Sequence, residues 1–302
     1  MTRNAKKKIR IHWGRLVPAL LLVAVLTFAV TKGAEAIFRS TESGGQAQEQ
    51  KTVPNEGSEE TEDPAAAAAR AAEEAARQAA AEAAQKEAEN AQMRLEAYQN
   101  GYLLLLNKEN AVASDYVPSD LTSIAHSDPG KPEETHYLRE EAAAAFEAMM
   151  EAAQADGYTI KMTTGYRSYG YQSALYSNYV TKYGQEKADT FSARPGTSEH
   201  QSGLASDISC ESLSWGLKNA FGTTPEGQWI QEHCAEYGFI VRYPQDTADG
   251  RTSQERTGYV YEPWHVRYVT PFCAREMAGQ GLVLEEYLAQ YDWETGYAVQ
   301  AQ

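Results

Sequence analysis

The sequence predicts an α+β domain, with a small, mainly antiparallel sheet and flanking helices, preceded by a transmembrane segment and a helical stalk. Three observations predict it. After residue 101, long stretches with helical apolar spacing are mixed irregularly with short apolar runs. Residues 16–30, "LVPALLLVAVLTFAV", carry no charged side chain. Residues 64–100 are dominated by alanine and glutamate.

Residues 1–38 come first in this plan. Arg3, Lys6, Lys7, Lys8, Arg10 and Arg15 make a basic start ahead of the apolar run. Continued toward Phe38, with Lys32 near the outer boundary, the run has about the length that crosses ~30 Å of hydrocarbon. Such a segment is a single-pass anchor. A cleaved signal peptide ending at "AEA" (Ala34–Ala36) is the alternative. Either way the basic end stays inside and all that follows lies outside the cytoplasm.

Residues 39–63 are polar, acidic and poor in large apolar side chains, which predicts a flexible linker. Residues 64–100 open with Pro64 and continue in strong helix formers, a stalk of ~50 Å at 1.5 Å per residue. Large apolar residues are missing until Met93 and Leu95. That argues against a stable coiled coil and leaves a solvated stalk or a weakly self-associating helix.

The folded domain spans residues 101–302. Leu138, Ala142, Phe146, Met149 and Ala153 recur at helical spacing, and Gly157 ends the run. "YTIKMTTG" predicts a strand, and "YGYQSALYSNYVTKYG" a helix ended by Gly184. "GLASDIS" is a short strand. "TPEGQWIQEHCAEYG" is a helix capped by Thr224, with Pro225 in its first turn and Gly238 behind it. "FIVRY" and "WHVRYV" are strands, and "PFCAREMAGQGLVLEEYLAQY" is helical.

The chain has 302 residues and a formal net charge of −15. That balance excludes a nucleic-acid partner, since little would neutralise phosphates. Cys210, Cys234 and Cys273 are an odd number, which allows one disulfide and one free thiol.

Of six histidines, His12 precedes the apolar span, His126 and His136 lie in polar contexts, and His233 sits on a helix. His200 and His265 remain. His200 leads through Gly203 into a strand on which Ala205 and Asp207 share a face. His265 begins another strand, three positions after Glu262, with Pro263 stiffening the link. Two histidines and an aspartate make an open zinc site, with a fourth position left for water. A nearby carboxylate that is not a ligand can take a proton from that water, and Glu262 is the natural choice. Glu199 is a rival base, although side chains adjacent on an extended chain diverge. The plainer reading is a structural His–Asp pair with Glu262 as a surface charge. Arg167 lies between a predicted strand and helix, where its planar fork suits a substrate carboxylate, and Gln172 lies a helical turn onward. A structural arginine closing a helix end is the alternative there.

"GYRSYGYQ", "RPGTSEHQSGLASDI" and "YEPWHVRYV" together resemble the VanY-type D-alanyl-D-alanine carboxypeptidases, relatives of the VanX dipeptidases and of lysostaphin and hedgehog domains. The likeness covers Tyr102 to Tyr291. It implies zinc held by His200, Asp207 and His265, with Glu262 as catalytic base. It also implies a terminal substrate carboxylate held by Arg167, with Gln172 and Ser198 as helpers. The substrates it implies are peptidoglycan stem peptides, with removal of a C-terminal D-alanine. An L,D-carboxypeptidase acting on tetrapeptide stems and a non-catalytic zinc-containing wall-binding module are the alternatives.

Overall fold

The computed structural model describes residues 63–245 and 250–299. The apolar segment of residues 1–38 and nearly all of the acidic linker lie outside them. Among the described residues no helix is long and apolar enough to cross a membrane.

The chain opens with helix α1 (Pro64–Gln99). Strands β1 (Leu121–Ser123) and β2 (Tyr137–Arg139) follow, then α2 (Glu140–Ala155), β3 (Ile160–Thr164), α3 (Tyr169–Tyr183) and α4 (Gln185–Phe191). Next come β4 (Ala205–Cys210), α5 (Pro225–His233), β5 (Phe239–Tyr243), α6 (Ser253–Thr257) and β6 (Glu262–Tyr268). Helices α7 (Pro271–Gln280) and α8 (Leu284–Gln290) complete it. The order β3-β4-β6-β5 builds one antiparallel sheet, and β1 and β2 pair antiparallel as a second. The expected α+β architecture is therefore present.

The sheet has two faces with different work. Ile208, Cys210, Phe239, Val266 and Tyr268 pack on Ala142, Phe146, Met149 and Ala153 of α2 in one apolar core. The alternate residues Ala205, Asp207, His265 and Arg267 belong to the other face, as period-two strands require. A second cluster gathers Leu103, Ile240, Val269, Met277, Leu284 and Tyr287 around α7 and α8.

Three expectations are corrected in detail. Leu138 fits the helical spacing of α2 but lies in β2, because Arg139 N is drawn to Gly203 O at 2.8 Å and the helix starts only at Glu140. The C-terminal helical stretch is broken by Gly281, whose φ of +66° separates α7 from α8. Helix α1 is not solvated to its end: Ala91, Arg94 and Ala97 are buried, and Arg94 forms a two-bonded pair with Glu276 of α7 at 2.5 and 2.9 Å. All three cysteines are buried and free.

Candidate metal centre and its cleft

Strand register brings the first two groups together. Asp207 of β4 is paired with His265 of β6, and cross-strand partners place their Cβ atoms about 5 Å apart. His265 Nδ1 lies 3.0 Å from Asp207 Oδ1. His200 arrives from the 3₁₀ turn Glu199–Ser202, which Gly203 closes at φ +69°. A Cβ there would meet Leu121 Cδ2 at 2.9 Å, so only glycine lets the turn pass so close to β1 and β2. His200 Nε2 then lies 3.3 Å from Asp207 Oδ2. One donor atom from each of His200, Asp207 and His265 lies within 4.8 Å of the others, and all three residues are buried.

The donor chemistry fits a divalent cation. His200 Nδ1 is 2.7 Å from Gly165 O, and a carbonyl only accepts, so Nδ1 carries the proton and Nε2 is left with its lone pair. That Nε2 is buried and has no hydrogen-bond partner. Gly165 itself has no room for a side chain, since a Cβ would lie 2.5 Å from Tyr137 O. Burial, seconded by the Arg167 charge, pushes the His200 imidazole down to about 4, which keeps it neutral and able to ligate. Burial alone would raise Asp207, but His265, hydrogen-bonded to it at 3.0 Å, holds its carboxyl well below the usual range; a neutral His200 adds no charge to that.

Glu262 enters the same cleft by a different device. Three residues apart on a regular strand, Glu262 and His265 would face opposite sides. Between Val241↔Val266 and Tyr243↔Glu262 the register shifts, so β6 carries Pro263, Trp264 and His265 opposite a single residue of β5. This bulge turns both side chains into one cleft. Desolvation pushes the Glu262 carboxyl up to about 8, with Asp207 adding to the rise and His265 and Arg167 opposing it.

The cleft has a volume of about 370 Å³, and Arg167, Gln172, Ser198, Glu262 and the His–Asp–His group all line it. Arg167 Nη2 lies 3.8 Å from Asp207 Oδ2, and its Nε is buried without a partner. Gln172 donates Nε2 to Ala193 O at 2.7 Å and leaves Oε1 buried and unpartnered. Tyr179, Phe191, Leu217 and Trp264 supply apolar wall. Among the described residues no other histidine lines the cleft: His126 pairs with Glu147, His233 pairs with Glu236, and His136 ends the turn Glu133–His136. Cys210, three residues from Asp207, packs in the α2 core.

Glu199 does not behave as a rival base. Its carboxylate is fully buried and paired with Arg242 and Arg267, each at 2.8 Å. Sequence reading missed this network. Its signal was present, because Arg242 in "FIVRY" and Arg267 in "WHVRYV" are charges inside apolar strands, and such charges need partners.

A family model described as VanY, D-alanyl-D-alanine carboxypeptidase, matches residues 135–271, which include Arg167 and every residue of the His–Asp–His group. YodJ of Bacillus subtilis (strain 168), which carries a carboxypeptidase name, is 43% identical over 197 residues, covering 64% of this chain and 70% of its own. The chain belongs to the VanY family. Among solved structures, the LdcB LD-carboxypeptidase is 40% identical with a TM-score of 0.57, over 62% of this chain and 86% of that one. A mutant of the vancomycin resistance D,D-pentapeptidase VanY, in complex with Zn(II), is 32% identical with a TM-score of 0.50, over 62% of this chain and 98% of that one.

Proposed function

We propose that this VanY-family chain is a zinc-dependent D,D-carboxypeptidase that removes the C-terminal D-alanine from peptidoglycan stem peptides. The observation that carries the reading is the meeting of His200, Asp207 and His265 in a cleft that also holds Arg167 and a buried Glu262. The relative solved with Zn(II) supports the choice of metal.

His200 Nε2, Asp207 and His265 Nδ1 would hold the ion. When bound, zinc supplies a water activated near neutral pH and a Lewis acid for the scissile carbonyl. Glu262 accepts the proton of the attacking water and returns it to the leaving amine. Its position between desolvation and nearby charges suits a group that both takes and gives a proton near neutrality. Arg167 fixes the terminal carboxylate, so that only the last peptide bond reaches the reacting centre, and Gln172 and Ser198 line its approach.

An L,D-carboxypeptidase acting on tetrapeptide stems is the second reading, favoured by the 40% identity to LdcB. The basic residues ahead of the uncharged stretch 16–30 support a single membrane pass. Mass spectrometry of purified protein with synthetic pentapeptide and tetrapeptide, with and without chelator, tests the function. Loss of one alanine from the pentapeptide alone is expected. Loss from the tetrapeptide alone establishes the second reading, and no cleavage of either by the zinc-loaded protein refutes both.

A further inference from the structure

Glu199 carries a buried carboxylate that the proposed turnover leaves without a task. Its Oε1 accepts from Arg242 Nε and Arg267 Nη1, each at 2.8 Å. Its Oε2 accepts no hydrogen bond and lies 3.4 Å from His265 Nε2, which is likewise unpartnered. The other ring nitrogen of His265, Nδ1, is hydrogen-bonded to Asp207 Oδ1 at 3.0 Å; a carboxylate only accepts, so a bound cation would take the place of the proton on Nδ1. The ring therefore stands between two carboxylates, one in the metal group and one behind it.

The two arginines keep that rear carboxylate from turning. Arg242 gives its remaining fork to Glu285 of α8 at 2.6 and 2.9 Å. Arg267 donates to Tyr102 O and Leu104 O at 3.1 and 2.8 Å. Two buried cations and two carboxylates balance, and none can leave without stranding a charge. With Oε1 held by both arginines, Oε2 is fixed as the carboxylate oxygen 3.4 Å from His265 Nε2.

We infer that Glu199 is a positioning residue: it holds the ring proton of His265 on Nε2, so that Nδ1 presents its lone pair to the cation shared with His200 and Asp207. The inference rests on the zinc reading above. A carboxylate behind a ligating histidine fixes the tautomer and strengthens the ligand, and losing such a partner costs about 10- to 100-fold in metal affinity.

Glu199→Gln makes the point sharply because arginines only donate. The amide oxygen must take the place of Oε1, so the NH₂ faces His265 Nε2. A ring N–H cannot point at a donor, so the proton moves to Nδ1, where it blocks the ligand position. The same logic makes a wrongly held histidine tautomer costly in triad enzymes.

The test is a zinc titration of the full chain and of Glu199→Gln by chelator competition, with ¹⁵N NMR of the zinc-loaded histidines. Zinc affinity should fall by about 10- to 100-fold in the variant. In the wild type, His265 should show a metal-bound Nδ1 and a protonated Nε2. A role in packing alone would lower the melting temperature and leave affinity and tautomer as they were. Equal affinities in a folded variant, or a metal-bound Nε2 in the wild type, would overturn the inference. The second of these needs no variant, so it decides the matter even if Glu199→Gln does not fold. A wild type that binds no zinc would instead defeat the metal reading itself, and this inference with it.

Discussion

Asp207 and His265 are direct partners across β4 and β6, with Oδ1 and Nδ1 3.0 Å apart. A metal group built this way is locked to strand register. A slip of one residue would send Asp207 into the α2 core and an apolar residue into the cleft. The core residues Ile208 and Val266, both fully buried, are what forbid that slip.

Glu262→Gln should abolish most turnover while leaving zinc in place. Glu262 shares the cleft without belonging to the His–Asp–His group. General base catalysis is worth about 10²- to 10⁴-fold, and the fall in kcat should lie in that range. Zinc content by atomic absorption should stay near one per chain, which a wall-binding module with an idle Glu262 would also show, but with no turnover to lose.

The same variant should change the pH dependence of stability in the metal-free protein. Burial raises the Glu262 carboxyl from 4.5 to about 8, so between those values the folded state binds the extra proton. Stability contributed by this group is therefore present below the unfolded value and is lost as pH rises toward 8. Melting curves should show Glu262→Gln gaining on the wild type from pH 5 to pH 8. A gap that stays constant over that interval would mean the carboxyl is not desolvated.

Arg167→Ala should cost activity only toward substrates with a free terminal carboxylate. Arg167 offers a buried Nε with no protein partner, 14% of the side chain being exposed. Losing a charge-assisted, two-bonded contact should lower kcat/KM by about 10²-fold or more. A peptide with a C-terminal amide should be cut equally slowly by wild type and variant. A wild type that cuts the amide as fast as the acid would point to an endopeptidase.

A chain begun at Gly101 should be less stable than one begun at Ala84. The shorter chain loses Arg94, whose guanidinium pairs with Glu276 and covers the Tyr291 ring at 4.2 Å. It also loses Tyr98, stacked on Trp293 at 4.9 Å. Removing one partner of a mostly buried pair costs about 3 kcal/mol, or at least ~5 °C in a domain of this size. Differential scanning calorimetry on both chains measures it, and equal melting temperatures would show that α1 contributes nothing to the fold.

The sequence made His200, Asp207 and His265 readable because strand periodicity assigns Asp207 to a face with Ala205, and histidines near glycine or at strand starts had no better packing role. Helix ends were equally legible: Thr224 accepts from Gly227 N at 3.0 Å, and Gly184 closes α3 at φ +82°. What escaped was set by long-range geometry. Leu138 obeys a helical period yet is claimed by a strand through Gly203 O. Glu262 and His265 share a cleft only because of a bulge that no local pattern announces. Glu199 meets Arg242 and Arg267 across 43 and 68 positions of chain, which short-range reading does not reach.

The central claim is that three side chains distant in sequence hold one zinc ion, and anomalous scattering from crystals of the zinc-loaded protein measures it directly. The account predicts a single peak at the zinc edge about 2.0–2.2 Å from His200 Nε2, an Asp207 carboxylate oxygen and His265 Nδ1. A zinc peak bound elsewhere, or one that reaches His265 through Nε2, would contradict it.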